Sequence, residues 1–463
     1  MVEKELKGMI GLEIHSYLLT KEKLFCRCRA SRERGLKGNI YVCPICSGQP
    51  GAKPMLPNES AVKKIIEIGL MLGCKPNILE DKKILVFQRK HYNWPDMPVG
   101  YQKTISGAYS IPVAENGNFL GIRIREVHLE EDPAAWNPEN GKIDYNRAGA
   151  PLVEIVTEPD FKSSSEVEIW LRQLVLTLSY IKALNKDAGI KADVNVNIDG
   201  ISKRSEIKNV NSVTEIIKAI DYELKRHEKE MPFSEETRRW NSEKNVTELM
   251  RSKENQADYR FIPDPDLPCI KITNSEIIKI KNSLPESPVE KLEKLVKKYD
   301  INKTDAEVLI KNLEVVLLFE KVIEKIDPKI ALPWITVEFL SVLNYNKKTM
   351  DDIKINPEHI IELLELVSSN KITPLKAKDI LRKFVPVSFS PKSEALNNPI
   401  IADESLIEKI VDEVINENKS SVEDYLSGET KALNFIIGKV MQKSNKRADF
   451  NTIKKILEKK LVK

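Results

Sequence analysis

No stretch of this 463-residue chain approaches the roughly 18 consecutive apolar residues that a bilayer crossing requires, so no membrane span is expected. The start, Met1 to Gly11, mixes Glu and Lys and has no apolar core behind a basic head, so a signal peptide is not expected and a cytoplasmic location is. Cysteine is scarce, and six in a chain of this length do not make a secreted disulfide framework. Glycine is scarce too, 18 in all, and there is no G-x-x-x-x-G-K-[ST] phosphate loop, no G-x-G-x-x-G fingerprint and no H-E-x-x-H pair. Any nucleotide site must rest on another scaffold. Excess charge is also lacking: 73 Lys and Arg against 69 Asp and Glu leave +4, which by itself announces no nucleic-acid partner.

What is present is a foldable composition, 41% apolar and 31% charged, long enough for two to four domains at about 100–200 residues each. To about Ile280 the texture is strand-rich and irregular. Short β-branched runs at Met9–Ile14, Lys83–Phe87, Gly121–Leu129, Leu152–Val156 and Asp193–Ile198 alternate with Pro, Gly and Asn. Helical periodicity interrupts at Ser60–Leu72, Ser164–Leu184 and Val213–Lys229. Strands and helices do not alternate regularly, so the reading is α+β with an antiparallel sheet. Asn282–Pro288, with two prolines in seven residues, reads as a linker. Amphipathic helices are expected beyond it at Val289–Tyr299, Asp305–Ile326, Pro357–Val367 and Pro374–Phe384, the last capped by Thr373. A second break falls in Val385–Pro399, before a small helical tail. The expected division is 1–285, 286–395 and 400–463. The tail is polarised: Ile401–Thr430 holds two basic and nine acidic residues, Lys431–Lys463 ten basic and two acidic. That end is either a phosphate-binding surface or a solvated helix face.

Four cysteines form Cys26-x-Cys28 and, after fourteen residues, Cys43-Pro-Ile-Cys46. Two closely spaced thiol pairs suit tetrahedral zinc better than two pairs of buried thiols, although the first pair has one intervening residue where two are usual. Four thiolates close the coordination sphere, so such a metal is structural. Cys74 and Cys269 stand alone and read as small core residues. Carboxylates also sit inside apolar strands, in Gly11-Leu-Glu-Ile-His15, His128-Leu-Glu-Glu-Asp132 and Pro151-Leu-Val-Glu-Ile-Val156. Glu13 and His15 share a strand face, because side chains alternate with period two. A carboxylate placed like Glu154 is expensive to bury unless paired or metal-bound. Oxygen-rich clusters with one histidine suit magnesium or manganese with phosphate substrates, whereas each segment alone reads as a salt-bridged strand, with Arg123, Arg125 and Arg147 as possible partners.

These motifs resemble the B subunits (GatB) of tRNA-dependent amidotransferases over essentially the whole chain. The resemblance is carried by Ile10-Gly-Leu-Glu-Ile-His15, Arg89-Lys-His-Tyr-Asn-Trp-Pro-Asp96, Gly100-Tyr-Gln102, His128-Leu-Glu-Glu-Asp132 and Asp144-Tyr-Asn-Arg-Ala-Gly149. It continues in Glu154-Ile-Val-Thr-Glu-Pro-Asp160, Glu206-Ile-Lys-Asn-Val-Asn-Ser212 and Asp258-Tyr-Arg-Phe-Ile-Pro-Asp-Pro-Asp-Leu-Pro268. It implies an N-terminal cradle like that of glutamine synthetase and guanidino kinases, then a helical domain and a small helical tail. It also implies the chemistry: ATP phosphorylates the side-chain carboxylate of Glu-tRNA(Gln), or of Asp-tRNA(Asn), and ammonia displaces the phosphate. The implied magnesium ligands are Glu13, His15, Glu131 and Glu154, with Glu130 close by. Lys90 and Asp193 are implied near the ammonia route. Cys26, Cys28, Cys43 and Cys46 match a zinc knuckle. The tail is implied to contact the tRNA body, through basic residues such as Lys431, Lys439, Lys443, Lys446 and Arg447. The chain has no Gly/Ser-rich stretch with a nearby Lys of the kind amidase nucleophiles occupy, so the ammonia is implied to come from a separate glutaminase subunit, GatA, with a small GatC subunit wrapping the pair. Three positions depart from the pattern: Val99 stands where many relatives have Lys, Pro133-Ala134 replaces Ala-Gly, and Gly189-Ile-Lys-Ala-Asp-Val-Asn195 keeps Asp193 while its neighbours change. Two other classes compete with the enzyme subunit: a zinc-stabilised RNA-binding scaffold without activity, and a stand-alone ligase acting on a small carboxylate.

Overall fold

The computed structural model describes residues 8–31, 35–91, 94–106, 110–184, 189–252, 260–401 and 403–461. Tyr92-Asn93 and Asp258-Tyr259, parts of two motifs above, lie outside the described residues. The chain divides into two compact units, Met1–Ser287 and Pro288–Lys463.

The first unit is mixed α+β. Its elements in chain order are β1 (Gly8–Tyr17), α1 (Glu59–Met71), β2 (Lys75–Pro76), β3 (Gln88–His91), β4 (Tyr101–Ile105), β5 (Ala114–Phe119), β6 (Ile122–Glu131), β7 (Ala135–Trp136), β8 (Ile143–Asp144) and β9 (Pro151–Thr157). There follow α2 (Ser164–Tyr180), β10 (Ile190–Ile198), β11 (Ser205–Asn211), α3 (Val213–Glu230), β12 (Glu236–Asn241), β13 (Val246–Ser252), β14 (Arg260–Pro263) and α4 (Asn274–Ser283). One large sheet runs β13-β12-β11-β10-β1-β9-β6-β4-β3-β14, with β5 and β2 joined at β6, and β7 and β8 form a separate ribbon.

Strand alternation decides which face is which. Ile10, Leu12 and Ile14 of β1, Val153 and Ile155 of β9, Val194 and Val196 of β10, and Val127 and Leu129 of β6 are buried in one core. Ile65 and Ile68 of α1, Leu171 and Leu174 of α2, and Ile216 and Ile220 of α3 complete it. Burying each such side chain stabilises by about 1.5–3 kcal/mol. The intervening residues, Glu13 and His15 of β1 and Glu154 of β9 among them, therefore occupy the opposite face. Asn58, Ser163, Ser212 and Thr273 cap α1 to α4, each accepting backbone N–H groups of the first turn.

Three expectations need correcting. Cys269 is exposed, so of the two lone cysteines only Cys74 is a core residue. The sheet is not wholly antiparallel: β11 and β12 are parallel, because α3 crosses over between them. Lys83–Phe87 is not a strand. Leu85 and Phe87 are buried as apolar anchors, but only an isolated bridge, Leu85 to Ile270, forms there, and pairing resumes in the polar run Gln88–His91.

The second unit is helical: α5 (Pro288–Tyr299), α6 (Lys303–Leu309), α7 (Leu313–Val322), α8 (Pro328–Pro333), α9 (Leu340–Tyr345), α10 (Pro357–Ser368), α11 (Pro374–Arg382) and α12 (Lys392–Asn397). The tail adds α13 (Glu404–Glu417), α14 (Lys419–Leu426), α15 (Thr430–Lys443) and α16 (Phe450–Leu461). The single helix expected over Asp305–Ile326 is broken, because Asn312 caps a new helix by accepting from Val315 N–H. Ile407, Val411, Ile436, Val440, Ile453 and Leu457 form the tail's own core. The tail is also fastened to the helices before it. Thr373 caps α11 and its hydroxyl donates to the Lys446 carbonyl, and Lys446 Nζ sits 2.6 Å from Asp379 of α11. Among the described residues no helix is long and apolar enough to cross a membrane.

The edge strands of the sheet hang on a buried polar network. Glu223 of α3 is fully buried, with Arg226 at 2.8 Å, Arg238 of β12 at 3.3 Å and the Thr247 hydroxyl of β13 against it. Burial pushes the Glu223 carboxyl up, but hydrogen bonds from His227, Arg226 and Thr247 outweigh it and hold it down at about 2. Removing one partner of such a network strands the others. Glu223→Ala is expected to cost about 3–5 kcal/mol in urea unfolding followed by tryptophan fluorescence. The Glu223 contribution should be fully present above its unfolded value of 4.5 and fade as pH falls toward about 2, so the gap between wild type and variant should narrow on acidification.

Candidate functional site

The polar face of the sheet carries one row of charged groups across five adjacent strands. β1 is central, pairing antiparallel with β10 (Glu13 opposite Asp193) and with β9 (His15 opposite Glu154). Register extends the row: His128 of β6 lies opposite Glu154, and Asn195 of β10 opposite Glu206 of β11.

The row contains two ligand-like groups. In the first, one side-chain atom each of His15, Glu130 and Glu154 lies within 4.8 Å of the others. His15 Nδ1 is 3.6 Å from Glu130 Oε1, and His128 Nδ1 is 3.4 Å from Glu154 Oε2, while Nε2 of His128 contacts Glu126. In the second, Glu13, Asp193 and Glu206 are equally close. Lys208 bridges Asp193, at 2.6 Å, and Glu206, and Asn195 donates to Glu13 at 3.2 Å.

Protonation follows from these neighbours. Burial opposes charge on His15, but the Glu154 and Glu130 carboxylates prevail and push it up to about 9. His128 is pushed up to about 10, against burial, by Glu126 and Glu154. Burial likewise opposes the Glu154 carboxylate, yet His15, His128 and Lys90 hold it below the usual range. Glu13 is raised, first by burial and then by the neighbouring Glu154 carboxylate. The first group, two carboxylates and an imidazole on buried strands, has the donor chemistry of a hard divalent cation.

The structure thus brings Glu13, His15, Glu130, Glu154 and Asp193 together, with Lys90 on β3 near enough to act on Glu154. Glu131 does not join them. Its neighbour Glu130 takes the polar face, and Glu131 instead pairs with Lys103 of β4, which donates to it from both Nζ and backbone N at 3.0 Å. Lys103 lies over the rings of Phe25 and Tyr101. Sequence reasoning left out Lys208, Lys103 and His128 as site residues. His128 carried a signal, since period two puts it on the face of the proposed Glu130, and Lys208 lay inside a quoted motif, on the same face as Glu206. Lys103 carried none among so many lysines.

The four knuckle cysteines converge as well. Their sulfurs lie within 4.8 Å of one another, with Cys43 to Cys46 at 3.9 Å and Cys28 to Cys46 at 4.0 Å. Zn–S bonds of about 2.3 Å at tetrahedral angles put sulfurs about 3.8 Å apart, so the set fits zinc. The Asp144–Gly149 motif wraps this knuckle: Asn146 Oδ1 accepts from Ile40 and Tyr41 N–H, and Arg147 clamps Asp132 at 2.6 Å beyond the end of β6. Gly48 needs to be glycine, because its φ is +67° and a Cβ there would stand 2.4 Å from the Pro98 carbonyl oxygen.

The basic tail residues are largely engaged. Lys443 pairs with Glu413 and Glu417 of α13, at 2.8 and 2.6 Å, Lys446 with Asp379, and Arg447 donates to the Pro399 carbonyl. Lys431 and Lys439 are exposed on α15, with Lys439 Nζ over the Phe435 ring.

In metal-free protein the His15 imidazole should titrate near 9 by NMR, and Glu154→Gln should bring it down toward 6.5. Titration near 6.5 in the unsubstituted chain would contradict the geometry of the row.

Comparison with known families places the whole chain in one group of proteins. A family model described as the GatB/GatE catalytic domain matches residues 8–278, and one described as the GatB domain matches residues 317–461. The B subunit of the aspartyl/glutamyl-tRNA(Asn/Gln) amidotransferase of Methanococcus maripaludis strain C6 is 40% identical, covering 99% of this chain and 100% of that protein. The protein of the same name from Methanopyrus kandleri is 41% identical, over 98% of both chains, and that of Methanocaldococcus jannaschii is 40% identical, over 99% and 98%.

Proposed function

The chain belongs to the GatB family, the B subunits of aspartyl/glutamyl-tRNA(Asn/Gln) amidotransferases, and from that premise we propose that it is the ATP-dependent transamidase of such a complex. The γ-phosphoryl group of ATP passes to the side-chain carboxylate of Glu-tRNA(Gln), or of Asp-tRNA(Asn), giving ADP and an acyl phosphate. Ammonia attacks the activated carbonyl carbon, phosphate departs with the bonding pair, and the amide remains. Activation is needed because a carboxylate has no good leaving group.

The observation that carries the reading is the row itself, in which His15, Glu130 and Glu154 converge beside Glu13 and Asp193. Magnesium held there by His15, Glu130 and Glu154 would supply charge neutralisation for phosphoryl transfer. His128 and Lys90 keep Glu154 ionised as a ligand, and Lys208 fixes Asp193 and Glu206. Lys90 and Asp193 belong near the ammonia route, and Glu131 acts through its pair with Lys103. The sheet with its polar face is read as the glutamine synthetase-like cradle, followed by the helical domain and tail. Zinc on the four cysteines is structural. The ammonia comes from a glutaminase subunit (GatA), a small GatC subunit completes the heterotrimer, the tail contacts tRNA, and the complex works in the cytoplasm.

The test is ATP hydrolysis by the chain with its glutaminase partner and ammonium, with and without Glu-tRNA(Gln), and analysis of the aminoacyl-tRNA formed. Phosphate release that depends on Glu-tRNA, with Gln-tRNA formed, is expected. Glu154→Gln should lower turnover at least about 10²-fold while tRNA binding persists, because it removes charge stabilisation and not the binding surface. tRNA binding without turnover on either misacylated tRNA would leave a scaffold, and ATP turnover without any tRNA a small-carboxylate ligase.

A further inference from the structure

Lys23 is the most deeply buried lysine among the described residues, with 1% of its surface exposed, and nothing in the reaction above uses it. Its backbone builds the first cysteine turn: Lys23 N–H donates to the Cys28 carbonyl, and Leu24 N–H to that of Gly149. Its side chain crosses to the second cysteine pair. Nζ donates to the Tyr41 carbonyl at 2.8 Å, to the Tyr145 carbonyl at 3.0 Å and to Cys46 Sγ at 3.3 Å. An ammonium has three N–H donors and a neutral amine two, so three acceptors around one Nζ call for the charged form. A buried charge of that kind is costly unless an anion answers it. Among the described residues the only anion-forming group against Nζ is the Cys46 thiol. Four thiolates on a divalent zinc leave two negative charges in a largely buried pocket.

We propose that Lys23 is the charge-compensating partner of the tetrathiolate zinc centre, cancelling one of its two negative charges and holding Cys46 in place as a ligand. The inference rests on the zinc reading of the four cysteines. It gives the buried lysine and the over-charged metal centre the same answer, since among the described residues the Cys46 sulfur is the one anion-forming group that Lys23 Nζ meets. Groups that hydrogen-bond metal ligands commonly alter metal affinity 10–100-fold.

The test uses the purified full chain, its Lys23→Met variant, and that variant combined with Cys28→His. Cys28→His lowers the negative charge of the ligand set by one without touching a side-chain contact of Lys23. Three readouts apply: zinc content, the rate of zinc transfer to a chromogenic chelator, and the charge-transfer absorption of the cobalt-substituted protein. Lys23→Met is expected to release zinc at least tenfold faster and to move the sulfur-to-cobalt band to lower energy, because an unopposed thiolate is a better electron donor. Adding Cys28→His should restore retention. Unchanged release and spectrum in Lys23→Met would overturn the proposal. So would a variant that unfolds and is not rescued by Cys28→His, which would make Lys23 a tie between the Tyr41 and Tyr145 segments and nothing more. A wild-type chain that holds no zinc and takes up no cobalt would remove the zinc reading itself, an outcome distinct from both.

Discussion

Like charges on adjacent strands repel, and here β6, β9, β1, β10 and β11 each present at least one carboxylate to the same face. The arrangement persists because cations are interleaved with them. His15 and His128 flank Glu154, Lys208 lies between Asp193 and Glu206, and Lys90 reinforces the middle. Glu13, Glu126, Glu130, Glu154, Asp193 and Glu206 outnumber the four cations interleaved with them, and carboxylates in excess of their cations are the donors that a divalent cation favours. The apolar reverse of the same strands fixes the arrangement, since a shift of one residue in any register would exchange core for site.

Much of this is legible in the residues. Period two marks out β1, β6, β9 and β10, and it puts Glu13 with His15 on spacing alone. The same rule separates Glu130 from Glu131, so the placement of Glu131 against Lys103 follows from alternation, and grouping both acids in one metal shell ran against it. Convergence of the three acidic segments was not legible, because it depends on strand order, and strand order is set by packing and not by spacing. The parallel β11–β12 pair was not legible because it depends on the α3 crossover and on β12, a strand rich in charged residues that the apolar pattern did not mark. The break between α6 and α7 was readable from Asn312 alone, but the apolar periodicity running through it masked the cap.

The zinc-like knuckle and the acidic row are linked through Asp132. It closes β6 two residues after Glu130, receives Arg147 from the segment that wraps the knuckle, and accepts from the Tyr17 hydroxyl at the end of β1. The motif Asp144–Gly149 thus serves two sites, holding the cysteine turns with Asn146 and the strand ends with Arg147.

In the second unit, the acidic and basic halves of the tail face each other in the folded chain: Lys443 meets Glu413 and Glu417, and Lys460 meets Asp412. Lys446 is committed to Asp379, and the Ile401 N–H donates to the Arg447 carbonyl. The tail is consequently pre-organised. A tethered tail would lose conformational entropy on meeting any partner, whereas this one has surrendered that freedom in folding, and it has done so at the cost of some of its free positive charge.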